Sequence, residues 1–300
     1  APAHNQAQAS VPITVKPTLQ TSFWPDANSG KKANYERIIM LIKAKTLEGY
    51  KLDSLDGEIG KVKEFYFDDR HWTTRYLVAE TATWLADRQV LLAPYALVAV
   101  NTEAKNISVE LTQKQIEASP SLDSHKPVSH QFEQAYYGYY GYPAYWSGPY
   151  SWGAYPDFMP DRQARAVDNA HKKQVERTQH EHGWDPHLRS SKDVSGQHLQ
   201  ALDGEVGHVK DFILDDESWA IRYLIVDTHN WWPGKKVLVS PQWIERVSWD
   251  ERKVFVNLDR QTIKKSPEYK EESLLTRDYE ISLHGHYNRK GYWVDELVNS

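Results

Sequence analysis

One pattern is written twice in this chain, and that duplication constrains the fold more than any other feature. "LDGEIGKVKEFYFDD" begins at Leu55 and "LDGEVGHVKDFILDD" at Leu202. Aligning Asp56 with Asp203 gives an offset of 147 positions (203 minus 56), and this offset runs on without a gap. It places Gly49 on Gly196, Leu52 on Leu199, Gly60 on Gly207, Phe65 on Phe212, Trp72 on Trp219 and Arg75-Tyr76-Leu77 on Arg222-Tyr223-Leu224. Further along, Thr81 meets Thr228, Trp84 meets Trp231, Pro94 meets Pro241, Leu111 meets Leu258 and Ser119-Pro120 meets Ser266-Pro267. Phe132-Glu133 and Gly138 also find counterparts in Tyr279-Glu280 and Gly285. An ungapped match over about ninety residues is a duplicated domain rather than a short solenoid unit.

Each copy reads as short strands with turn punctuation. Asp56-Gly57 and Asp203-Gly204 supply the positive φ of a tight reversal. The strand after the first carries Val62, Phe65 and Phe67, and its alternation slips near Lys63-Glu64, the mark of a bulge. Asp68-Asp69 and Asp215-Asp216 open the next turn, and "TRYLVAE" and "IRYLIVD" are continuous apolar runs suited to a doubly covered strand. Pro94 and Pro241 close a further strand, and "NISVEL" and "KVFVNL" alternate cleanly. A two-turn helix follows in each copy, capped by Thr112 or Asp259 and stopped by Pro120 or Pro267, with Gln115 completing a capping box in the first. Five or six short strands and one short helix in roughly 80 residues predict a small β-barrel. Val62, Phe65, Tyr76, Leu77, Leu91, Val109 and Leu111 are expected in one core, and their counterparts in a second.

The ordered set Asp56, Gly57, Gly60, Asp68, Asp69, Trp72, Arg75 and its repeat Asp203, Gly204, Gly207, Asp215, Asp216, Trp219, Arg222 resembles the PRC-barrel family, as does the Trp-containing loop before "VLLAP" or "VLVSP". That family is named for the cytoplasmic domain of the photosynthetic reaction-centre H subunit and includes the C-terminal domain of a ribosome maturation factor. The resemblance covers roughly residues 40–120 and 187–267. It implies compact barrels used as docking or scaffolding modules, with no catalytic residues belonging to the family. The H subunit's transmembrane helix and the ribosome factor's other domain have no match here, so neither function transfers directly. The expected architecture is all-β: two tandem PRC-like barrels related by duplication. Residues 1–37 form an N-terminal extension, 38–135 the first barrel, 136–186 a linker, 187–287 the second barrel and 288–300 a tail.

Chemistry is harder to place. The aspartate pairs point to turns rather than to paired catalytic carboxylates, since neighbouring residues at a strand end diverge and Asp bonds its own backbone there. Arg75 and Arg222, beside apolar runs, call for structural ion pairs with those aspartates, an anion site being the less favoured reading. Trp72 and Trp219 read as core or rim packing. With no cysteine there is neither thiolate nucleophile nor Cys-based zinc site. Among 13 histidines, His180 with His182 and His284 with His286 are weak metal candidates; their stretches are polar, and solvated surface histidines are the simpler reading. No nucleophile elbow, Walker loop or Rossmann glycine pattern occurs, so no enzyme and no cofactor is expected.

Between the copies, Tyr136 to Pro160 is rich in Tyr, Trp, Gly and Pro. It reads as a linker folded over the barrels, or as a contact surface presenting Tyr137, Tyr140, Tyr145, Trp146 and Trp152 to a protein, a saccharide or a membrane interface. Asp161 then caps a polar helix that Gly183 ends. Upstream, "SVPITVKP" alternates like an edge strand confined by Pro12 and Pro17. Net charge is −5, with both signs interspersed, which argues against nucleic acid as a partner. No apolar stretch approaches the ~20 residues that span a bilayer, and no basic-then-apolar leader opens the sequence. The expectation is therefore a cytoplasmic, non-enzymatic binding or scaffold protein that assembles with itself or a larger complex; an exported mature chain is the alternative compartment. Alternative functions are a peripheral subunit of a membrane complex of the electron-transfer type, or a metal- or glycan-binding protein.

Overall fold

The computed structural model describes residues 40–81, 85, 88–120, 122–123, 128–142, 187–228, 235–270 and 275–296. The expected strand near Val11, the helix from Asp161, and Tyr145, Trp146, Trp152, His180 and His182 lie outside these residues.

The first half contains β1 (Leu41–Lys43), α1 (Ala44–Leu47), β2 (Lys51–Ser54), β3 (Gly57–Asp68), β4 (Thr73–Glu80), β5 (Arg88–Leu92), β6 (Leu97–Asn101), β7 (Asn106–Val109), α2 (Gln113–Ala118), β8 (Leu122–Asp123) and α3 (His130–Tyr140). The second contains β9 (Leu188–Ser190), α4 (Ser191–Val194), β10 (His198–Ala201), β11 (Gly204–Asp215), β12 (Ile221–Asp227), β13 (Lys236–Val239), β14 (Ile244–Ser248), β15 (Lys253–Val256), α5 (Arg260–Lys265), α6 (Arg277–His286) and α7 (Tyr292–Glu296). The protein is mostly β, with strand order β6-β7-β2-β3-β4-β5-β8 in one sheet and β13-β12-β11-β10-β15-β14 in the other. Neither path closes on itself among the described residues, so each half is an open sheet rather than the closed barrel expected.

Local sequence accounts for these elements. Asp56 Oδ1 accepts the Gln113 N–H at 2.7 Å, and Asp203 Oδ1 accepts the Arg260 N–H at 2.8 Å. The Asp-Gly turn thus pins the first turn of α2 or α5, while Gly57 (φ +152°) and Gly204 (φ +140°) supply the reversal. The Thr112–Gln115 capping box forms, and Asp259 accepts from the Thr262 N–H. The slip near Lys63-Glu64 is a register shift between Val62 and Glu64, matched between Val209 and Asp211. Gly60 and Gly207 meet a further need, close backbone approach, and Gly60 stands at positive φ (+138°) as well. A Cβ there would stand 2.2 Å from the Glu80 carbonyl oxygen and 2.1 Å from that of Asp227.

The feature that sets this architecture apart is a strand exchange. β3 and β11 are long, and β2 and β10 cover only one end of their outer edge, at Gly57–Lys61 and Gly204–His208. The rest of that edge is filled from the other half. β1 pairs antiparallel with β11 (Lys43 opposite Ile213), and β9 pairs antiparallel with β3 (Ser190 opposite Tyr66). The two pairings are the same pairing under the 147-residue offset.

This changes the expected core. Instead of two separate interiors, one buried cluster runs through both halves, from Leu52, Val62, Phe65 and Leu77 to Val209, Phe212, Tyr223 and Leu224. Tyr76 and Leu91 lie apart from it, in a smaller cluster with Tyr136 and Tyr137 of α3. They sit on the opposite face of the sheet, where a helix rather than another strand covers them.

Candidate interaction surfaces

The repeated aspartate pairs divide their work. In each pair the first residue serves its own half. Asp68 Oδ1 accepts the N–H groups of Arg70 and His71, and its Oδ2 takes the Arg75 guanidinium at 2.8 Å. Asp215 Oδ1 accepts from Glu217 and Ser218 N–H, and Oδ2 takes both Nε and Nη2 of Arg222, at 3.0 and 2.6 Å. Burial opposes ionisation of both carboxyls. His71 and Arg75 outweigh it at Asp68, and Arg222 with two backbone N–H groups does so at Asp215, so both are held below the usual carboxylate range.

The second aspartate reaches across. Asp69 Oδ1 meets His187 Nδ1 at 2.9 Å, and its Oδ2 accepts Arg189 Nε and Trp249 Nε1, each at 3.0 Å. Asp216 Oδ1 accepts the Met40 N–H at 2.8 Å. Main-chain bonds repeat the theme, from Asp69 N–H to the His187 carbonyl and from Asp216 N–H to the Met40 carbonyl. A reading confined to turns accounts for Asp68 and Asp215 but misses what Asp69 and Asp216 do.

Trp72 and Trp219 are buried, as expected for packing, but both stand at positive φ (52° and 57°), which is uncommon for so large a side chain. Each is fixed from two sides. Its N–H donates to the carbonyl of Asp68 or Asp215, and its own carbonyl accepts from the other half, Ile221 N–H for Trp72 and Thr74 N–H for Trp219. The indoles cross the same boundary, with Phe65–Trp219 centroids 6.2 Å apart and Trp72–Phe212 centroids 6.4 Å apart.

On the outer faces, α3 and α6 cap the sheets through matched bonds: Tyr76 Oη donates to Glu133 Oε1 at 2.9 Å, and Tyr223 Oη to Glu280 Oε1 at 2.8 Å. The boundary drawn at 135/136 therefore falls inside α3. Tyr137, expected on a contact surface, is buried, and Tyr140 is half-buried, stacked on Tyr142 at 5.3 Å. Beyond the boundary drawn at residue 287, Tyr292 is buried and donates to Glu280 Oε1 at 2.9 Å, and Arg222 lies 3.9 Å above its ring. His284 is buried between Tyr223, 3.0 Å from Nε2, and the Lys290 carbonyl, 2.8 Å from Nδ1. His286 Nε2 lies 2.8 Å from the Thr262 carbonyl. Among the described residues no group of three or more His, Asp or Glu is placed to hold a metal ion. Nor is any described helix long and apolar enough to cross a membrane.

Both halves expose one large apolar side chain at a matched position. Leu55 and Leu202, at the tips of the two Asp-Gly turns, are 67% and 65% exposed. The first half also carries a cleft of about 500 Å³ lined by Tyr95, Glu110, Leu111, Gln115, Tyr139, Tyr140 and Tyr142. Tyr142 stacks on both Tyr95 and Tyr140.

No curated protein matches this chain. The model of the PRC-barrel domain family matches residues 193–263, the stretch from α4 through the middle of α5 that holds β10 to β15.

Proposed function

We propose that this chain is a non-enzymatic scaffold built from two PRC-type domains, the first lying beyond the matched segment, and that it binds protein partners through equivalent surfaces on its two halves. The observation that carries the reading is where the repeated residues sit. Asp68 and Asp215, Arg75 and Arg222, Tyr76 and Tyr223, and Glu133 and Glu280 are buried and bonded to one another. They hold the fold and are not presented to a substrate. Among the large apolar side chains, the turn-tip leucines are exposed in both copies, and solvated apolar residues at matched positions suit contact with protein. Self-association or a place in a larger complex, at a membrane periphery included, are forms of the same activity.

The test is affinity capture from the source organism with the parent chain and with Leu55→Asp/Leu202→Asp. A defined partner set retained by the parent and lost by the folded variant supports the reading. Identical capture by both variants removes the leucines from it. A second reading, saccharide binding, rests on the tyrosine cleft, whose hydroxyls and Glu110 suit a polyhydroxy ligand. A glycan array with parent and Tyr139→Ala chains separates it from the first.

A further inference from the structure

We infer that the surface joining the two halves is a dimerisation surface in its own right, which holds without the connecting chain, and that the partner it fits is a second PRC-type half with an equivalent leader strand. The contacts across it are reciprocal in the manner of an isologous two-fold interface, where residue i meets j and j meets i. Lys43 lies opposite Ile213 as Ser190 lies opposite Tyr66. Thr74 N–H donates to the Trp219 carbonyl at 3.0 Å, and Ile221 N–H to the Trp72 carbonyl at 2.7 Å. Phe65 meets Trp219 as Phe212 meets Trp72. Asp69 meets the main chain of His187 as Asp216 meets that of Met40.

These contacts are of the kind that hold obligate dimers together. They combine main-chain pairing of a strand into a foreign sheet, a continuous apolar core and half-buried carboxylates clamping the incoming segment. The short α1 and α4 that follow the leaders stay bonded to the opposite half as well, with Lys45 N–H donating to Asp211 Oδ1 at 3.2 Å and Phe65 N–H to Ser191 Oγ at 3.2 Å. Every contact named here lies between residues 40–142 and 187–296, so none draws on the segment between them. The inference is independent of what the outer surface binds.

The experiment uses the full chain with a protease recognition sequence inserted between residues 143 and 186. After complete cleavage, native mass spectrometry and gel filtration should find the two fragments as a 1:1 complex with an unchanged circular dichroism spectrum. Its Tm should now depend on protein concentration. Mixing cleaved chains of normal and 15N-labelled protein should yield hybrid complexes. In Asp69→Ala/Asp216→Ala, the cleaved complex should dissociate at least tenfold more readily, while the uncut variant keeps the mass of the uncut parent. Fragments of the cleaved parent that run singly, folded or unfolded, overturn the proposal. So does a cleaved complex that never yields hybrids even on mild warming, since a locked assembly is not an exchangeable interface.

Discussion

Glu64 and Asp211 occupy the same position in the two halves, and they do different things there. Glu64 reaches the incoming segment with its side chain, accepting from Ser190 Oγ and lying 3.7 Å from Lys192 Nζ. Asp211, one methylene shorter, turns back to its own Phe212 N–H at 2.8 Å and accepts the Lys45 N–H. Burial pushes its carboxyl up to about 6 in spite of those bonds. The outer faces differ in the same way. Where the first half puts Tyr137 beneath its capping helix, the second puts His284. The two halves therefore share some features and vary others. Backbone geometry, the Asp–Arg pair, the Tyr–Glu bond and the exchanged strand are common to both halves, whereas the polar groups around them are replaceable one half at a time.

Seven substitutions at four places test how far the two halves are equivalent. The largest effect is expected at the buried ion pair, where removing one partner strands a charge. Arg222→Leu should cost about 3–5 kcal/mol in denaturant unfolding. Arg75→Leu should cost about 1 kcal/mol less, because His71 Nδ1, 3.1 Å from Asp68 Oδ2, remains as a partner. Equal losses would show that His71 contributes nothing. Next come Gly60→Ala and Gly207→Ala, each expected to cost about 3 kcal/mol because each Cβ would overlap a main-chain carbonyl, with Gly60→Ala the costlier because Gly60, unlike Gly207, stands at positive φ (+138°). Equal losses would show that the overlap alone sets the cost.

A smaller effect, with a sign that differs between halves, is expected at the clasp. A carboxyl raised in the folded state binds its proton more tightly there, so stability falls as pH rises from the ordinary value of 3.8 to about 6 and is level above. Asp211→Asn keeps the acceptor, and should remove that decline and stabilise the protein by roughly 2 kcal/mol at pH 7. Glu64→Gln loses an ion pair instead and should destabilise it by about 1 kcal/mol. The smallest effect belongs to His284, where burial pushes the imidazole down, so the folded state resists protonation and stability is lost as pH falls through the ordinary value of 6.5. His284→Tyr copies the first half and should flatten that acid limb in thermal melts between pH 5 and 7. A limb that persists in this variant would assign the acid sensitivity to another group.

Much of the fold is legible in the sequence because it is encoded locally. Asp-Gly turns, the alternation slip, the helix caps and the Asp–Arg pairs each depend on residues close in sequence or on a charge that must be neutralised near a core. The strand exchange is not legible, for a physical reason. β1 and β9 are equivalent segments facing equivalent edges, so no local preference tells either one which of the two to join. Tyr136 and Tyr137 were hidden differently. "YYGYY" has the composition of a low-complexity linker, and only the match of Glu133 to Glu280 hinted that a helix carries those rings inward. Of the candidate surface, the turn-tip leucines stand in plain sight in "LDGE", but nothing in the sequence says that such apolar side chains remain exposed.

Cross-linking tests the exchange most directly, because the chain has no cysteine of its own. Tyr66 lies opposite Ser190, and the residue of the first half equivalent to Ser190 is Lys43. Paired residues on adjacent antiparallel strands have Cα atoms about 4.5–5.5 Å apart, within disulfide range. The measurement is the yield of intramolecular disulfide in two double variants, Tyr66→Cys/Ser190→Cys and Tyr66→Cys/Lys43→Cys, under mild oxidation. Exchange predicts rapid, near-complete closure within single chains of the first and little in the second. Closure of the second in preference to the first would mean that each half keeps its own leader strand, and the interlocked architecture would be wrong.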